Sequence, residues 1–304
     1  MVTVSIILTT YNSENQIQEV VNSIYNQEGK DELFAIELLV VDDCSIDSTQ
    51  SILTKNNINF ISTTKNTGGP NHGRNIALKQ CTGDYICIAD HDDIWFKDRI
   101  KRLLSLVSLA PIISSGYVLL DQSSGKKINR VNKPKLDKGY RLYEKNTTFL
   151  SKLTKSKKGQ ETYLGSLLFN SSLKHILFEE KYGMIDFDWI LNLFYNQKSV
   201  EVCLPLYLRK VKSENLSLNE QYRINDYNYT LKTVLSYKDE YSDLVKCSEQ
   251  RINGSMGRYY YLTGNMYLAR RYFLKSTFEL KTIFYLITTF VGSSLVKRYF
   301  KIFG

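Results

Sequence analysis

Tyr85-Ile86-Cys87-Ile88-Ala89-Asp90-His91-Asp92-Asp93-Ile94-Trp95 is the stretch that decides how this chain folds. An apolar, partly β-branched run over 85–89 follows the turn Thr82-Gly83, which is the pattern of a buried strand. It stops abruptly in three carboxylates and an imidazole. Beyond it, Ile100, Leu103, Leu104 and Val107 recur at helical spacing and predict a helix over 97–109. The acids then lie at the carboxyl end of a strand, in the turn before a helix, and ligands of open α/β sheets bind at that edge. Asp90 and Asp92 are one residue apart, so an extended or turning backbone points both the same way. Two such oxygen donors suit Mg2+ or Mn2+, which proteins hold with one or two carboxylates plus substrate phosphates. An acidic cap on the following helix is the other account of a single turn of this kind.

Working outward, the spacing predicts further strands over 2–9, 36–41 and 59–62. Between them lie helical segments: a face of Ile17, Val20, Val21, Ile24 and Tyr25 with Ser13 as its cap, then 46–55 and 76–79. Strands alternating with helices predict an α/β fold with a mostly parallel sheet flanked by helices. Three of these strands end in polar clusters: Thr9-Thr10-Tyr11, Asp42-Asp43 and Asp90-His91-Asp92. Parallel strands share a carboxyl edge, so all three should line one crevice. A cap explains one acidic turn and does not explain three on one rim.

The loop over 65–73 runs into Arg74-Asn75 and holds Gly68, Gly69 and Gly73. Such glycines let backbone approach a ligand, and Arg74 can pair with a phosphate; a flexible surface connection is the alternative. The loop does not match G-x-G-x-x-G and follows the third strand, which disfavours a dinucleotide-binding dehydrogenase. No G-x-x-x-x-G-K-[ST] is present, which excludes a P-loop NTPase.

Composition agrees with an ordinary globular protein: 304 residues, 43% hydrophobic and 23% charged, enough to bury a core. The net charge of +9 favours anionic partners such as nucleotide diphosphates or acidic lipid. Lys126, Lys127, Arg130, Lys133, Lys135 and Lys138 form a basic run, either a solvated loop or a flank of an acceptor site. It lacks interleaved aromatics, so nucleic acid is not an expected partner. The cysteines Cys44, Cys81, Cys87, Cys203 and Cys247 are odd in number and form no CxxC, which reads as free thiols in a reducing compartment. Met1 leads directly into a strand, so no leader is expected. The apolar run over 282–296 is shorter than the ~20 residues of a spanning helix. From residue 219 the pattern turns helical and aromatic, giving an expected organisation of a domain over 1–215 and a helical region over 216–304. The last segment joins Phe284, Leu286, Ile287 and Phe290 to Lys297, Arg298 and Lys301, as an interfacial membrane helix or a docked end helix would.

Taken together, Val4-Ser5-Ile6-Ile7-Leu8-Thr9-Thr10-Tyr11-Asn12, Val40-Val41-Asp42-Asp43-Cys44-Ser45, Gly73-Arg74-Asn75 and Thr82-Gly83-Asp84-Tyr85 running into Asp90-His91-Asp92-Asp93 resemble the family 2 glycosyltransferases of the GT-A fold. The resemblance covers roughly the first 100 residues and weakens beyond them. It implies a nucleoside diphosphate sugar donor, with Thr9, Tyr11 and Asp43 at the nucleotide base and Arg74 near base and diphosphate. Asp90 and Asp92 fall on the D-x-D motif, Asp92 as the direct metal ligand and Asp90 nearer the ribose, with Mn2+ or Mg2+ as cofactor. Lys212 stands where a histidine often meets a phosphate. The catalytic base of the family falls on Asp186, with Asp188 as the alternative, because Ile185 and Asn192 depart from the usual glutamate and arginine. Asp90-His91-Asp92-Asp93-Ile94-Trp95 is similar to variants in bacterial cell-surface polysaccharide transferases. The expectation is an inverting, metal-dependent enzyme with a glycan or lipid-linked glycan acceptor, cytoplasmic or peripheral on the cytoplasmic face of the plasma membrane. Its rivals are a catalytically inactive nucleotide-sugar-binding or scaffold subunit, and a sugar nucleotidyltransferase, whose Gly-rich loop after the first strand is missing.

Overall fold

The computed structural model describes residues 1–133, 139–154, 160, 162–211, 219–291 and 294. Contacts divide the chain into one unit of Met1–Phe149 with Lys158–Asn215 and another of Leu150–Lys157 with Leu216–Gly304.

The first unit is a mixed α/β sheet. At its heart β1 (Val2–Thr10) lies between β2 (Phe34–Asp42) and β4 (Tyr85–Asp90), parallel to both, with β3 (Phe60–Ser62) parallel outside β2. These strands read as nearly continuous apolar runs because the sheet is covered on both faces. Ile6, Ile7, Leu8, Ile86, Cys87 and Ile88 are all buried. The covering helices include α1 (Ile17–Tyr25), α2 (Thr49–Lys55) and α3 (Asn71–Gln80). α1 buries Ile17, Val20, Val21 and Ile24, each worth ~1.5–3 kcal/mol of transfer free energy.

Beyond β4 the sheet continues through β9 (Leu168–Asn170), β6 (Ile112–Asp121) and β10 (Ser199–Val211) to β5 (Ile94–Trp95). The long β6/β10 pair is parallel, while β9 and β5 join antiparallel. Two short strands, β7 (Lys127–Arg130) and β8 (Tyr140–Tyr143), pair with β6 and β10. Parallel pairing carries the longest registers, as the alternation of strands and helices predicts. The helices of this part are α4 (Arg99–Leu104), the start of α5 (Thr147–Leu153) and α6 (Phe187–Phe194).

Several local expectations change. Between the acid cluster and its helix stands β5, whose Trp95 and Ile94 pair with Tyr207 and Leu208 of β10. The Phe96 N–H donates to the Leu206 carbonyl at 3.0 Å, so this backbone is spent on the sheet and the helix starts later. That helix also ends early, because Leu106 and Val107 bond three residues back instead of four, in a tightened turn. Ser13 is not a side-chain cap: its hydroxyl donates to the Tyr11 carbonyl at 3.1 Å, and α1 begins only at Ile17, after the chain has turned. The glycine loop becomes helical at Asn71, so Arg74 sits on the first turn of α3. Gly69 and Gly73 serve close packing more than ligand approach. A Cβ on Gly69 would lie 2.2 Å from the Gly183 carbonyl oxygen, and one on Gly73 would lie 3.0 Å from Thr9 Cγ2.

The second unit is helical: α7 (Glu220–Leu235), α8 (Ser242–Thr263), α9 (Met266–Phe273) and α10 (Leu280–Thr288). Its tyrosines make a stacked interior. Tyr260 stacks on Tyr272 at 5.6 Å, Phe273 on Tyr285 at 5.7 Å, and Tyr261 meets Tyr285 edge-on at 4.8 Å. Gly264, at φ +93°, closes α8 in the left-handed conformation that favours glycine.

Candidate functional site

Register explains the rim. Thr10 of β1 pairs across to Asp42 of β2, and Thr9 pairs to Asp90 of β4. Three strand ends therefore finish abreast, and their polar residues share the carboxyl edge of the sheet. Thr9 is buried, and Tyr11, two residues on, is 40% exposed. Asp43 is buried just past the end of β2, and its carboxylate accepts from the Thr67 N–H at 3.0 Å, the Thr67 hydroxyl at 2.9 Å and the Thr63 hydroxyl at 3.0 Å. These bonds clamp the glycine loop to the strand end.

Arg74 reaches the rim from α3. Its Nη2 donates to Asp90 Oδ1 at 2.8 Å, its Nη1 donates to Asn71 Oδ1 at 3.0 Å, and its guanidinium lies 5.3 Å from the Phe178 ring. Arg74 is buried and Asp90 half-buried, so removing either partner would leave the other charge poorly solvated.

The acid turn is electrostatically loaded. Burial raises the Asp92 carboxyl above its usual range, with His91 opposing and Asp90 adding to the rise. Burial raises Asp93 further, helped by Asp90 and Asp92 and opposed by Arg209 and Arg99. The Oδ2 of Asp93 is buried without a hydrogen-bond partner. Carboxylates held this way are relieved by a cation. Among the described residues no cluster of three or more His, Cys, Asp and Glu side chains forms a metal cage. Mg2+ and Mn2+ do not need one, since they complete their shells with phosphate and water. Asp90 and Asp92, with Asp93 behind them, are the carboxylates that fit such an ion.

Asp186 occupies the N-cap position of α6 and makes no side-chain capping bond. It is partly exposed, whereas Asp188 is buried in the first turn. Burial raises the Tyr163 hydroxyl, with the charges of Asp90, Asp93 and Asp186 adding to the rise and Arg209 opposing it. Lys212, Lys135 and Lys138 lie outside the described residues.

Some residues at this site carry no motif or periodic signal. Arg209, near the end of β10, lies 3.8 Å over the Tyr163 ring, and its charge opposes the rise at Asp92 and Asp93. It arrives there because β5 pairs with β10, a contact of only two residues a side. Arg99 is wholly buried, donating to the Gly165 carbonyl at 2.7 Å and lying 4.5 Å from the Trp95 ring. Glu179 is buried and gathers the N–H groups of Tyr182, Met184 and Ile185 just before Asp186.

A family model described as "Glycosyl transferase family 2" matches residues 5–175, more than half of the chain and the ends of β1, β2 and β4. The chain belongs to glycosyl transferase family 2. Over 111 residues it is 40% identical to the poly(ribitol-phosphate) beta-N-acetylglucosaminyltransferase TarS of Staphylococcus aureus. That segment is 35% of this chain and 19% of the relative, so the matched stretch spans about a fifth of TarS. Among solved structures, S. aureus TarS 1-349 in complex with UDP-GlcNAc superposes with a TM-score of 0.61 at 20% identity, covering 95% of this chain and 79% of that one. The Pyrobaculum calidifontis mannosyltransferase PcManGT, in complex with GDP-Man and Mn2+, gives a TM-score of 0.54 at 17% identity, covering 97% and 80%. At these identities the superpositions establish the GT-A fold.

Proposed function

We propose that the chain is an inverting glycosyltransferase that moves a sugar from a nucleoside diphosphate donor to an acceptor hydroxyl of a glycan or lipid-linked glycan, in bacterial cell-surface polysaccharide assembly. The observation that carries this is the register of β1, β2 and β4, which pairs Thr10 with Asp42 and Thr9 with Asp90, with the Asp43 N–H bonded to the Thr10 carbonyl and Arg74 bonded to Asp90. Tyr11 offers an exposed ring just past the end of β1, and Asp43 lies just past the end of the neighbouring β2, a placement that suits a nucleotide base. Arg74 is the phosphate partner at the end nearest Asp90, and Arg209 is a second cation whose charge acts on Asp92 and Asp93. Asp92 and Asp90 would hold Mn2+ or Mg2+, which when bound neutralises charge growing on the departing diphosphate.

The remaining chemistry belongs to this chain's own side chains. Asp186 takes the proton of the acceptor hydroxyl as its oxygen attacks the anomeric carbon. The bond from that carbon to the diphosphate oxygen breaks, and its electron pair leaves with the diphosphate. A single displacement inverts the configuration. Asp186 suits the role better than Asp188 because it stands partly open at a helix start, while Asp188 is buried.

UDP-sugars are the first donors to test, since TarS has been solved with UDP-GlcNAc. UDP release from UDP-GlcNAc and UDP-glucose, with Mn2+ and a polyol-phosphate or glycan acceptor, is expected to exceed the acceptor-free rate. Uptake of the nucleotide sugar with no turnover of any donor would favour the inactive binding subunit instead.

We infer a peripheral location from the second unit. Among the described residues no helix is long and apolar enough to cross a membrane. α10, however, is inverted: it buries Thr282, Tyr285 and Thr288 and turns Leu280 (88% exposed), Ile283, Phe284 and Ile287 (61% exposed) to solvent. Arg270, Arg271, Lys275 and Lys281 accompany this apolar stripe against the single acid Glu279. An apolar face with a basic rim fits an anionic lipid surface and disfavours a second copy of itself, which would repel. Sedimentation with phosphatidylglycerol vesicles, and not with phosphatidylcholine ones, is expected, and Leu280→Ser with Ile287→Ser should abolish it. Equal recovery in the supernatant with both vesicles would reject the location.

A further inference from the structure

Asn71 is wholly buried at the first residue of α3, and neither donor binding nor proton transfer as described uses it. Its side-chain amide joins two parts of the site that lie more than a hundred residues apart in sequence. Its Nδ2 donates to the Ile185 carbonyl at 2.9 Å and the Glu179 carbonyl at 3.0 Å. Its Oδ1 accepts from Arg74 Nη1 at 3.0 Å, and Arg74 Nη2 donates to Asp90 at 2.8 Å. The Asn71 backbone N–H also donates to the Gly183 carbonyl at 3.0 Å. A continuous chain of bonds thus runs from the residue before Asp186, through one amide and one guanidinium, to the first acid of the D-x-D turn.

The loop before Asp186 has no regular structure of its own to hold it. The segment 179–185 belongs to no helix or strand, and Gly183 within it has φ +74°. Three of its N–H groups converge on one carboxylate, Glu179, which accepts from Tyr182 at 2.7 Å, Met184 at 3.2 Å and Ile185 at 3.0 Å. The link from this loop back to the sheet side of the site comes from α3, through Asn71 and through Asn75, which exchanges two bonds with the Phe178 backbone at 2.8 and 2.9 Å. Asparagine is the residue type that fits position 71, because one planar amide must donate toward two carbonyls and accept from a guanidinium at once. Aspartate would keep the acceptor and lose both donations; a shorter side chain would reach neither partner.

We propose that Asn71 is a positioning residue that sets the distance between the Asp186 base and the Arg74–Asp90 pair holding the donor. It touches no reacting atom. The inference rests on the assignment of Asp186 as base. Misplacing a catalytic group by about 1 Å can cost ~100-fold in rate while leaving ground-state binding nearly unchanged.

The test compares Asn71→Ser, Asp186→Asn and the double variant in full-length protein. It uses the nucleotide sugar that the wild type turns over, with UDP and Mn2+ as the calorimetric probe. The expected result for Asn71→Ser is a kcat lowered about 10- to 100-fold with donor KM and UDP affinity changed by less than about 3-fold. The double variant should be barely slower than Asp186→Asn alone, because a misplaced base and an absent base are the same defect. The isosteric Asn71→Asp carries the same expectation where the serine variant is recovered unfolded. Wild-type kcat in the folded variants, or a loss confined to KM and UDP affinity, would overturn the proposal. Full activity of Asp186→Asn would instead remove the base assignment, and that outcome is read independently of residue 71.

Discussion

The two halves of the candidate site are built by different means. On the donor side, backbone register pairs Thr10 with Asp42 and Thr9 with Asp90 at the ends of parallel strands, and a backbone bond from Asp43 to Thr10 continues that edge. On the base side, Asp186 follows an irregular segment whose shape depends on Glu179, Asn71 and Asn75 bonding to backbone groups. Register is shared over many residues, so a single side-chain change on the donor side should alter chemistry without moving its neighbours. A loop fixed by a few hydrogen bonds should lose geometry when one of them is removed.

The largest effect expected from this contrast is at the base. Asp186→Asn should lower kcat by ~10²–10⁴-fold, the usual contribution of a positioned general base, while UDP affinity stays near wild type. Rapid-quench measurement of sugar transfer checks it. The same substitution at Asp188 should act mainly on stability, because that carboxylate is buried in α6.

A middle-sized effect is expected where the two sides touch. Gly69→Ala places a Cβ against the Gly183 carbonyl, which must shift or push the loop away. Overpacking of this kind costs about 1–3 kcal/mol, visible as a lower urea midpoint at unchanged m-value.

The smallest effect belongs to the opposite end of the strands. Glu37 on β2 accepts from the Ser5 hydroxyl on β1, and from the Thr82 N–H at 2.9 Å and its hydroxyl at 2.7 Å. Burial pushes this carboxyl up, but the bonds from Ser5, Thr82 and Gly83 outweigh it and hold it below its usual range. The stability it gives is therefore present above the ordinary glutamate value and lost as pH falls through the lowered folded value. Because the group is half-buried and partly screened by water, Glu37→Gln should cost only about 1 kcal/mol near neutral pH and nothing at low pH. Thermal melts of both proteins across that range decide it, with transfer activity unchanged throughout.

The same contrast separates what is legible in the sequence from what is not. Continuous apolar runs ending in Thr9-Thr10-Tyr11, Asp42-Asp43 and Asp90-His91-Asp92 announce parallel strands with a polar edge, and the fold follows from them. β5 is not legible because two residues carry no period, and the approach of Arg209 to the acid turn is hidden with it. The start of α3 inside the glycine loop is hidden because Pro70 and two glycines read as loop, while tertiary bonds to Glu179 and Gly183 override local propensity. α10 adds a further lesson beside α1. Both repeat apolar residues at helical spacing, yet α1 turns them inward and α10 turns them outward. Periodicity defines a face; what lies against that face is decided elsewhere.

If the ends of β1, β2 and β4 form a site for a nucleotide diphosphate with a divalent cation, that site must take up nucleotide in a cation-dependent way. Isothermal titration of UDP into the full-length protein, with Mn2+ and then with a chelator, measures this directly. The expected result is uptake that requires Mn2+, that disappears in Asp92→Asn and that survives in Asp186→Asn. Uptake of equal affinity in the chelator, or undiminished uptake by Asp92→Asn, would contradict it.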